Sequence, residues 1–138
     1  MNILVIDGMG GGMGKSIIEH IKKEFKDVEI TAVGTNSIAT SAMLKAGATY
    51  GATGENAIIV NCTKADFIIG VTGIVIANAM HGEISPKIAV AVSSSPAHKI
   101  LLPIDKCNIT VLGVVNKPAQ LFVGEICTIL KESIDKPS

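Results

Sequence analysis

The chain has 138 residues, and its 12 lysine or arginine residues balance 12 aspartate or glutamate residues, so the formal net charge is zero. A neutral chain creates no long-range field that would attract nucleic acid or an anionic membrane surface. Aromatic residues make up 3% of the sequence, too few for the stacking platforms that bind single-stranded nucleic acid. We therefore expect one domain that has neither a nucleic-acid partner nor a membrane partner.

The amino-terminal residues lead directly into an apolar segment, without the basic leader and cleavage site of a signal peptide. The most apolar tract, residues 67–80, is interrupted by glycine and polar residues and is shorter than the ~20 residues of a membrane span. Cys62, Cys107 and Cys127 are odd in number and widely spaced, which favours buried hydrophobic residues over a disulfide framework or a zinc site. We therefore expect a cytoplasmic protein without a bound metal.

Apolar runs alternate with helical patterns along the first part of the chain. Residues 2–6 form a continuous apolar run that predicts a strand, and residues 14–25 carry apolar side chains at helical spacing. A second strand is predicted over residues 28–33. The polar residues 35–37 offer N-caps for a helix that ends near Gly47, a typical C-terminal glycine.

The middle of the chain continues this alternation. The stretch "GATGEN", residues 51–56, predicts a glycine turn, and the apolar residues 57–62 favour a helix over a strand. Residues 67–69 predict a buried strand, and "GVTG", residues 70–73, a turn. Residues 74–80 predict a helix that is apolar on nearly every side and therefore buried all round.

The last part of the chain predicts two helices and two strands. A serine followed by proline begins a helix over residues 87–92, and apolar runs predict strands over residues 100–102 and 109–115. A final amphipathic helix covers residues 117–134, and residues 135–138 form a disordered tail.

Short aliphatic strands that alternate with helices predict a parallel sheet with helices on both faces, because parallel strands need helical crossovers. We expect an α/β fold of three layers with a mostly parallel sheet of about five strands. The strand order is expected to be Rossmann-like or flavodoxin-like. Residues 1–134 are expected to form this single nucleotide-binding-like domain.

The stretch "VIDGMGGGMGKS", residues 5–16, contains five glycines in residues 8–14, which we call the glycine loop. The first strand-to-helix turn of such a sheet lies at the carboxyl edge, where ligands bind and the helix N-terminus presents free amides. Glycine lets the backbone approach an oxygen atom closely. The 12 basic residues are all lysines, so no arginine can hold a phosphate in two-pronged fashion, and a phosphate would rest on backbone amides.

The spacing of Gly8, Gly12 and Gly14 gives G-x-x-x-G-x-G, which resembles the loop of short-chain dehydrogenases and favours an NAD(P)-like dinucleotide. The acidic residue expected about 20 positions further on is absent, and Thr35-Asn36-Ser37 stands in its place. This polar helix start either accepts the 2′-phosphate of NADP or only caps the helix. The Tyr-x-x-x-Lys pair of those enzymes is missing, so the loop does not imply their reaction.

Two other function classes remain open. Gly14-Lys15-Ser16 resembles the end of the P-loop and the deviant loop of ParA-like ATPases, which implies ATP or GTP with magnesium. The first P-loop glycine would fall on Met9, and Gly10 replaces the signature lysine of the deviant loop. No later apolar strand ends in an aspartate that would anchor magnesium. The third class is a non-enzymatic interaction module, and the apolar helix expected over residues 74–80 favours a homo-oligomer.

The candidate cofactor-binding residues lie at the carboxyl ends of the predicted strands. They are Asp7, Gly8, Gly10, Gly11, Gly12, Met13, Gly14, Lys15, Thr35, Asn36, Ser37, Gly70, Thr72 and Gly73. A free carboxylate beside a phosphate is repulsive. Asp7 is therefore expected to cap loop amides, with contacts to a ribose, a base or a bridging metal as the alternatives.

Groups for catalysis are sparse. The stretch "NAMHGEISP" brings His81 and Glu83 together, and a histidine beside a carboxylate can serve as a general acid or base. A histidine at a helix end that interacts with the helix dipole is the alternative. No nucleophile elbow and no metal-ligand cluster is present in the sequence. Whether the protein is an enzyme stays open at this point.

Five segments together resemble a known family. The segments are "VIDGMGGGMGK", "GTNSIATSAMLKAGA", "GATGENAI", "ANAMHGEISP" and "KILLPIDKCNI". They are similar to a family of small bacterial proteins classed as a domain of unknown function, over about Met1 to Val115. The resemblance implies a nucleotide-binding-like fold and no assigned activity.

Overall fold

The computed structural model describes residues 1–104 and 108–135 and shows a five-stranded sheet. The strands are β1 (Ile3–Asp7), β2 (Ile30–Gly34), β3 (Tyr50–Thr53), β4 (Phe67–Val71) and β5 (His98–Leu102). The order is β3-β2-β1-β4-β5, and every neighbouring pair is parallel. The predicted α/β fold is therefore confirmed, and of the two strand orders considered this one is Rossmann-like.

Helices cover both faces of the sheet. They are α1 (Gly12–Glu24), α2 (Ser37–Lys45), α3 (Glu55–Cys62), α4 (Pro86–Ser94) and α5 (Ala119–Asp135), with a 3-10 turn at Thr72–Val75. Helix α1 packs against α2 and α5, and α3 packs against α4. These two groups form the outer layers, which explains why every position of the central strands β1 and β4 is buried.

The helix starts follow the predicted capping residues. Asn36 has an extended backbone, and its side chain accepts a hydrogen bond from the amide of Ala39 over 2.9 Å at the start of α2. Ser85 does the same for α4, where its hydroxyl accepts from the amide of Ile88 over 3.2 Å and Pro86 stands in the first turn. Both starts are favourable because a side-chain oxygen satisfies an otherwise free helix amide. Helix α3 confirms the helical prediction for residues 57–62.

The prediction of a glycine turn over residues 51–56 is wrong for its first part. Tyr50–Thr53 forms the edge strand β3, which pairs with β2 from Thr31 to Gly34. Only Ala52 among its residues is partly buried, and the others are exposed, so the strand lacks the apolar pattern that would identify it. Backbone pairing with β2 forms this strand in spite of its glycine.

The prediction of a strand over residues 109–115 is also wrong. Within the described part of the chain this segment pairs with no strand, and its residues are irregular and exposed. Val111 is 50% exposed, Leu112 91% and Val115 72%. The β-branched residues suit a strand, but a strand needs a neighbour for its backbone hydrogen bonds. The strand predicted at residues 100–102 is present and begins earlier, at His98.

The helix predicted over residues 74–80 is the third error. The chain leaves the 3-10 turn at Val75 and continues in turns. Asn78, Met80 and His81 adopt left-handed backbone conformations, with φ of 69°, 57° and 56°. An α-helix cannot include such residues. Residues 74–80 are all described, and they form no apolar helix that could serve as the expected self-association surface.

Cys62 and Cys127 are buried as free thiols, as predicted, whereas Cys107 lies outside the described residues. Helix α5 includes Asp135, the first residue of the expected tail, and residues 136–138 are likewise outside the description. None of the helices within the described ranges combines the length and apolar character that a membrane crossing requires.

Candidate functional site

A cleft lies at the carboxyl edge of the sheet, at the point between β1 and β4 where the strand order reverses. The connection after β1 leads to β2 on one side of β1, whereas the connection after β4 leads to β5 on the other side, so the two connections diverge. The cleft has a volume of about 720 Å³ and is lined by residues 7–13, residues within 71–81 and Ile104. In open α/β sheets this point is the usual ligand site.

The glycine loop turns sharply from β1 into α1. Met9 and Gly11 adopt left-handed conformations with φ of 52° and 77°, and the amide of Gly11 donates to the carbonyl of Gly8 over 3.0 Å. A Cβ atom on Gly11 would lie 2.8 Å from the Cα atom of Ala39. Gly11 is therefore required by its conformation and by its packing against α2.

Three backbone amides of the glycine loop stay free. Within residues 1–104 and 108–135, no protein acceptor lies against the amides of Gly10, Gly12 and Met13, all of which line the cleft. Free amides at the start of a helix carry partial positive charge and bind anions. A Cβ atom on Gly10 or Gly12 would meet no atom within 4 Å. No neighbouring atom therefore covers the backbone at these two positions, which line the cleft.

Asp7 closes the glycine loop from below. It is 6% exposed, and its two carboxylate oxygens accept hydrogen bonds from the amides of Gly8 over 2.8 Å and Gly14 over 2.7 Å. Burial raises the pKa of this carboxyl above its ordinary value, and the charge of Glu83 raises it further, while the two amide hydrogen bonds act in the opposite direction. Asp7 thus caps loop amides, the first of the roles considered for it.

Glu83 holds the glycine loop from the side. Its Oε1 atom accepts hydrogen bonds from the amide of Met9 over 3.1 Å, from the side-chain amide of Asn36 over 2.8 Å and from the hydroxyl of Thr35. The Thr35 hydrogen bond lowers the pKa of Glu83 most, and the other two hydrogen bonds and His81 lower it further, against the effect of desolvation. This charged group joins the glycine loop to the turn between β2 and α2.

Residues 76–85, which we call the 76–85 loop, bring Glu83 into this position. The loop folds back on itself, because the amide of Asn78 donates to the carbonyl of Ile84 over 2.6 Å and the amide of Ile84 donates to the carbonyl of Ala79 over 3.1 Å. Ala79 and Ile84 are buried in the core. The left-handed residues reported above belong to this loop, and such strain is concentrated at functional sites in proteins.

The two acid–base candidates have different positions. His81 is exposed and lines the cleft. Glu83 does not line it, because its Oε1 atom is held by the three donors described above. Among the described residues, Asp7 and His81 are the ionisable side chains on the cleft wall, and both oxygens of Asp7 are already hydrogen-bonded. His81 is therefore the ionisable side chain on the cleft wall that makes no hydrogen bond within the described part of the chain.

The structure brings about half of the predicted binding residues to the cleft. Those on its wall are Asp7, Gly8, Gly10, Gly11, Gly12, Met13 and Gly73. The others do not line it, and they are Gly14, Lys15, Thr35, Asn36, Ser37, Gly70 and Thr72. The second group lies beneath the cleft or beside it.

The residues beside the cleft have other contacts. Lys15 and Ser37 line a separate depression between α1 and α2, and the Lys15 ammonium lies 4.0 Å from the Glu19 carboxylate. Thr72 donates to the carbonyl of Leu102 over 2.7 Å. Gly70 is buried, and a Cβ atom there would lie 2.8 Å from the Ile6 carbonyl oxygen.

One wall of the cleft was not predicted. It is largely apolar and consists of Met9, Val71, Ile76, Ala77, Asn78, Ala79, Met80 and Ile104. Most of these residues follow β4, and their apolar character indicated a buried helix instead. The left-handed turns at Asn78 and Met80 place them around the cleft, and nothing in their spacing predicts those turns.

The described residues contain no cluster of three or more His, Cys, Asp or Glu side chains that could hold a metal ion. No curated protein matches the sequence. Among solved structures, the chain is similar to the crystal structure of a dodecameric FMN-dependent UbiX-like decarboxylase from Escherichia coli O157:H7, with 13% identity and a TM-score of 0.47. This alignment covers 94% of the present chain and 76% of the other. The sequence also matches the family described as Domain of unknown function (DUF3842) over residues 2–135, and the chain belongs to that family.

Proposed function

We propose that the cleft binds a phosphate-bearing nucleotide cofactor, with a phosphate against the amides of Gly10, Gly12 and Met13. The observation that carries the proposal is the bare backbone at Gly10 and Gly12. Neither residue has the left-handed conformation that favours glycine, and a Cβ atom on either would meet no protein atom within 4 Å. The fold itself therefore does not need glycine there, whereas an oxygen that approaches the backbone closely does.

The rest of the cleft suits the organic part of a nucleotide. Ile76, Met80 and Ile104 offer apolar surface for a ring system, and Asn78 supplies a polar group that could orient it. An NAD(P)-like dinucleotide, which the spacing of the glycines favours, is one of the ligands to test.

The position of Lys15 argues against a P-loop mode of binding. A P-loop lysine reaches the outer phosphates of a triphosphate. The side chain of Lys15 instead lines the depression between α1 and α2, near Glu19. We therefore propose a phosphate site made of backbone amides, without the lysine and magnesium of triphosphate hydrolysis.

The proposal is tested by calorimetric titration of NAD⁺, NADP⁺, ATP and inorganic phosphate into the protein and into Gly12→Val. A valine side chain at this position occupies the path of the phosphate, so we expect the affinity to fall at least tenfold. Gly124→Val is the matched control, because Gly124 is also a helical glycine whose Cβ atom would meet nothing within 4 Å and lies in α5. Equal affinity in Gly12→Val and Gly124→Val would overturn the proposal.

Thermal unfolding provides a second measurement for the same proposal. A ligand that binds only the native state must raise the melting temperature. We expect at least one of the nucleotides to raise it in the unmodified protein and in Gly124→Val, but not in Gly12→Val. A melting temperature that no nucleotide changes would favour the non-enzymatic interaction module.

A further inference from the structure

The cleft is lined on the β4 side of the glycine loop and not on the β2 side. In doubly wound folds that bind a dinucleotide, the pyrophosphate lies at the first glycine loop and the adenosine ribose meets a polar residue after the second strand. Here the lining comes from the ends of β1 and β4 and from Ile104. The turn between β2 and α2, which contains Thr35 and Asn36, contributes no residue to the cleft. Space for a ligand therefore extends from the glycine loop toward β4.

The side toward β2 is filled by the protein. Glu83 takes the hydrogen bonds that Thr35 and Asn36 could otherwise offer to a ribose. A Cβ atom on Gly8 would lie 2.8 Å from the sulfur of Met80 and 3.1 Å from Oε1 of Glu83, so these two side chains pack directly over the strand end. The second half of a dinucleotide would have to displace both.

The negative charge of Glu83 also disfavours a ligand that extends toward β2. Its carboxylate accepts the amide hydrogen of Met9 inside the glycine loop, next to the amides assigned to the phosphate. A single phosphate can use the amides of Gly10, Gly12 and Met13, none of which donates to Glu83. A pyrophosphate that continues toward β2 would bring its second charged group against the carboxylate, which is repulsive.

We propose that Glu83 and Met80 close the β2 side of the cleft and thereby restrict it to a ligand with one phosphate-bearing half, a mononucleotide rather than a dinucleotide. This inference rests on the proposed function, because it specifies the ligand of the same site. Glu83 is a specificity-determining residue in this arrangement.

The test compares each dinucleotide with its own halves. AMP, NMN and FMN are titrated against NAD⁺ and FAD by calorimetry, with the full chain. We expect at least one mononucleotide to bind at least tenfold more tightly than the dinucleotide that contains it. A dinucleotide that binds as tightly as both of its halves, or more tightly, would overturn this inference and leave the proposed function intact. If none of these ligands binds, the proposed function itself fails.

Variants of Glu83 test its role directly. In Glu83→Ala, which opens the β2 side, we expect the preference for the mononucleotide to fall at least tenfold. Glu83→Gln keeps the size of the side chain but removes its charge, so its preference for the mononucleotide should lie between those of Glu83→Ala and the unmodified protein. Glu55→Ala is the matched control, because this variant also removes a carboxylate next to the 76–85 loop. The Glu55 carboxylate accepts a hydrogen bond from Ser85. An unchanged preference in Glu83→Ala would contradict the assignment.

A second variant covers the case in which Glu83→Ala does not fold, as judged by circular dichroism. Thr35→Val removes one donor to Glu83 and keeps the size of the side chain. We expect it to weaken the preference for the mononucleotide at least threefold while the affinity for the mononucleotide stays within a factor of two. A preference that Thr35→Val leaves unchanged would count against Glu83 as the barrier.

Discussion

The backbone amide of Met9 donates a hydrogen bond to the carboxylate of Glu83 over 3.1 Å, although the two residues are 74 positions apart in the sequence. The glycine loop after β1 is therefore shaped in part by a residue that follows β4. The same oxygen of Glu83 also holds Thr35 and Asn36. One carboxylate thus connects three segments at the carboxyl edge of the sheet.

The stability that Glu83 provides should depend on pH. The native pKa of Glu83 lies below its ordinary value of 4.5, so its contribution to the free energy of unfolding is present above pH 4.5 and is lost as the pH falls through the lower native pKa. We expect Glu83→Gln to be less stable than the unmodified protein at pH 7 and the difference to shrink below pH 4.5. Urea unfolding of both proteins from pH 3 to pH 7 measures it. A difference that stays constant over this range would contradict the prediction.

The pKa of the Asp7 carboxyl should be shifted in the opposite direction to that of Glu83. Its native pKa lies above the ordinary value of 3.8, chiefly because of burial and in part because of the charge of Glu83. We expect carbon-13 NMR titration to show Asp7 above 3.8, and we expect the Asp7 pKa to fall in Glu83→Gln. An Asp7 pKa at or below the ordinary value would show that the two amide hydrogen bonds outweigh desolvation.

Two glycines of the same loop should respond differently to alanine. In Gly14→Ala the new Cβ atom would lie 2.5 Å from the sulfur of the fully buried Met43 and 3.0 Å from Cβ of Asp7. Overpacking of this kind typically costs about 1–3 kcal/mol. Gly12→Ala meets no neighbour and replaces glycine within a helix, so its stability should equal or exceed that of the unmodified protein by up to about 1 kcal/mol. Urea unfolding distinguishes the two, and equal losses would contradict this prediction.

Thr40 should stabilise the junction of β2, β3 and α2. Its buried hydroxyl oxygen accepts from the amide of Gly34 over 3.2 Å and lies 3.1 Å from the Ala52 carbonyl oxygen and 2.7 Å from the Thr53 hydroxyl. Thr40→Val keeps the shape but removes these hydrogen bonds and leaves the buried amide of Gly34 without this acceptor, which should cost about 1–3 kcal/mol in unfolding free energy. Thr40→Ser retains the hydroxyl and should lose clearly less. Equal stability of the valine and serine variants would refute this role.

Self-association stays a prediction. Residues 109–115 replace the absent helix over residues 74–80 as its expected surface. The segment over residues 109–115 is apolar and exposed, and Leu112 is 91% exposed. Exposed apolar surface of this kind is typical of protein interfaces. We expect a dimer or larger oligomer by light scattering at micromolar concentration, and a monomer for Leu112→Asp. A monomeric unmodified protein would contradict this expectation.

The sequence predicts most of the fold because its signals are local. Apolar runs identify β1, β2 and β4, and the capping residues Asn36 and Ser85 identify the starts of α2 and α4. Strand β3 could not be predicted in this way, because its residues are mostly exposed and Gly51 resembles a turn. Its pairing with β2 is a tertiary contact that overrides local propensity.

The candidate site likewise combines contacts that local sequence predicts with contacts that it does not. The role of Asp7 is predictable because its partners Gly8 and Gly14 lie within the same loop. The contact of Glu83 with Met9 depends on how the 76–85 loop folds after β4, and no local pattern predicts the left-handed residues there. The apolar wall of the cleft depends on the same loop and was missed for the same reason.

The two hydrogen bonds of Asp7 have a consequence for binding. They hold the glycine loop at both of its ends, at Gly8 and at Gly14, through a carboxylate of the protein itself. The receptor is therefore preorganised, and a ligand that enters does not have to freeze a mobile segment. The affinity of the ligand is therefore not reduced by the entropic cost of ordering a flexible phosphate-binding loop.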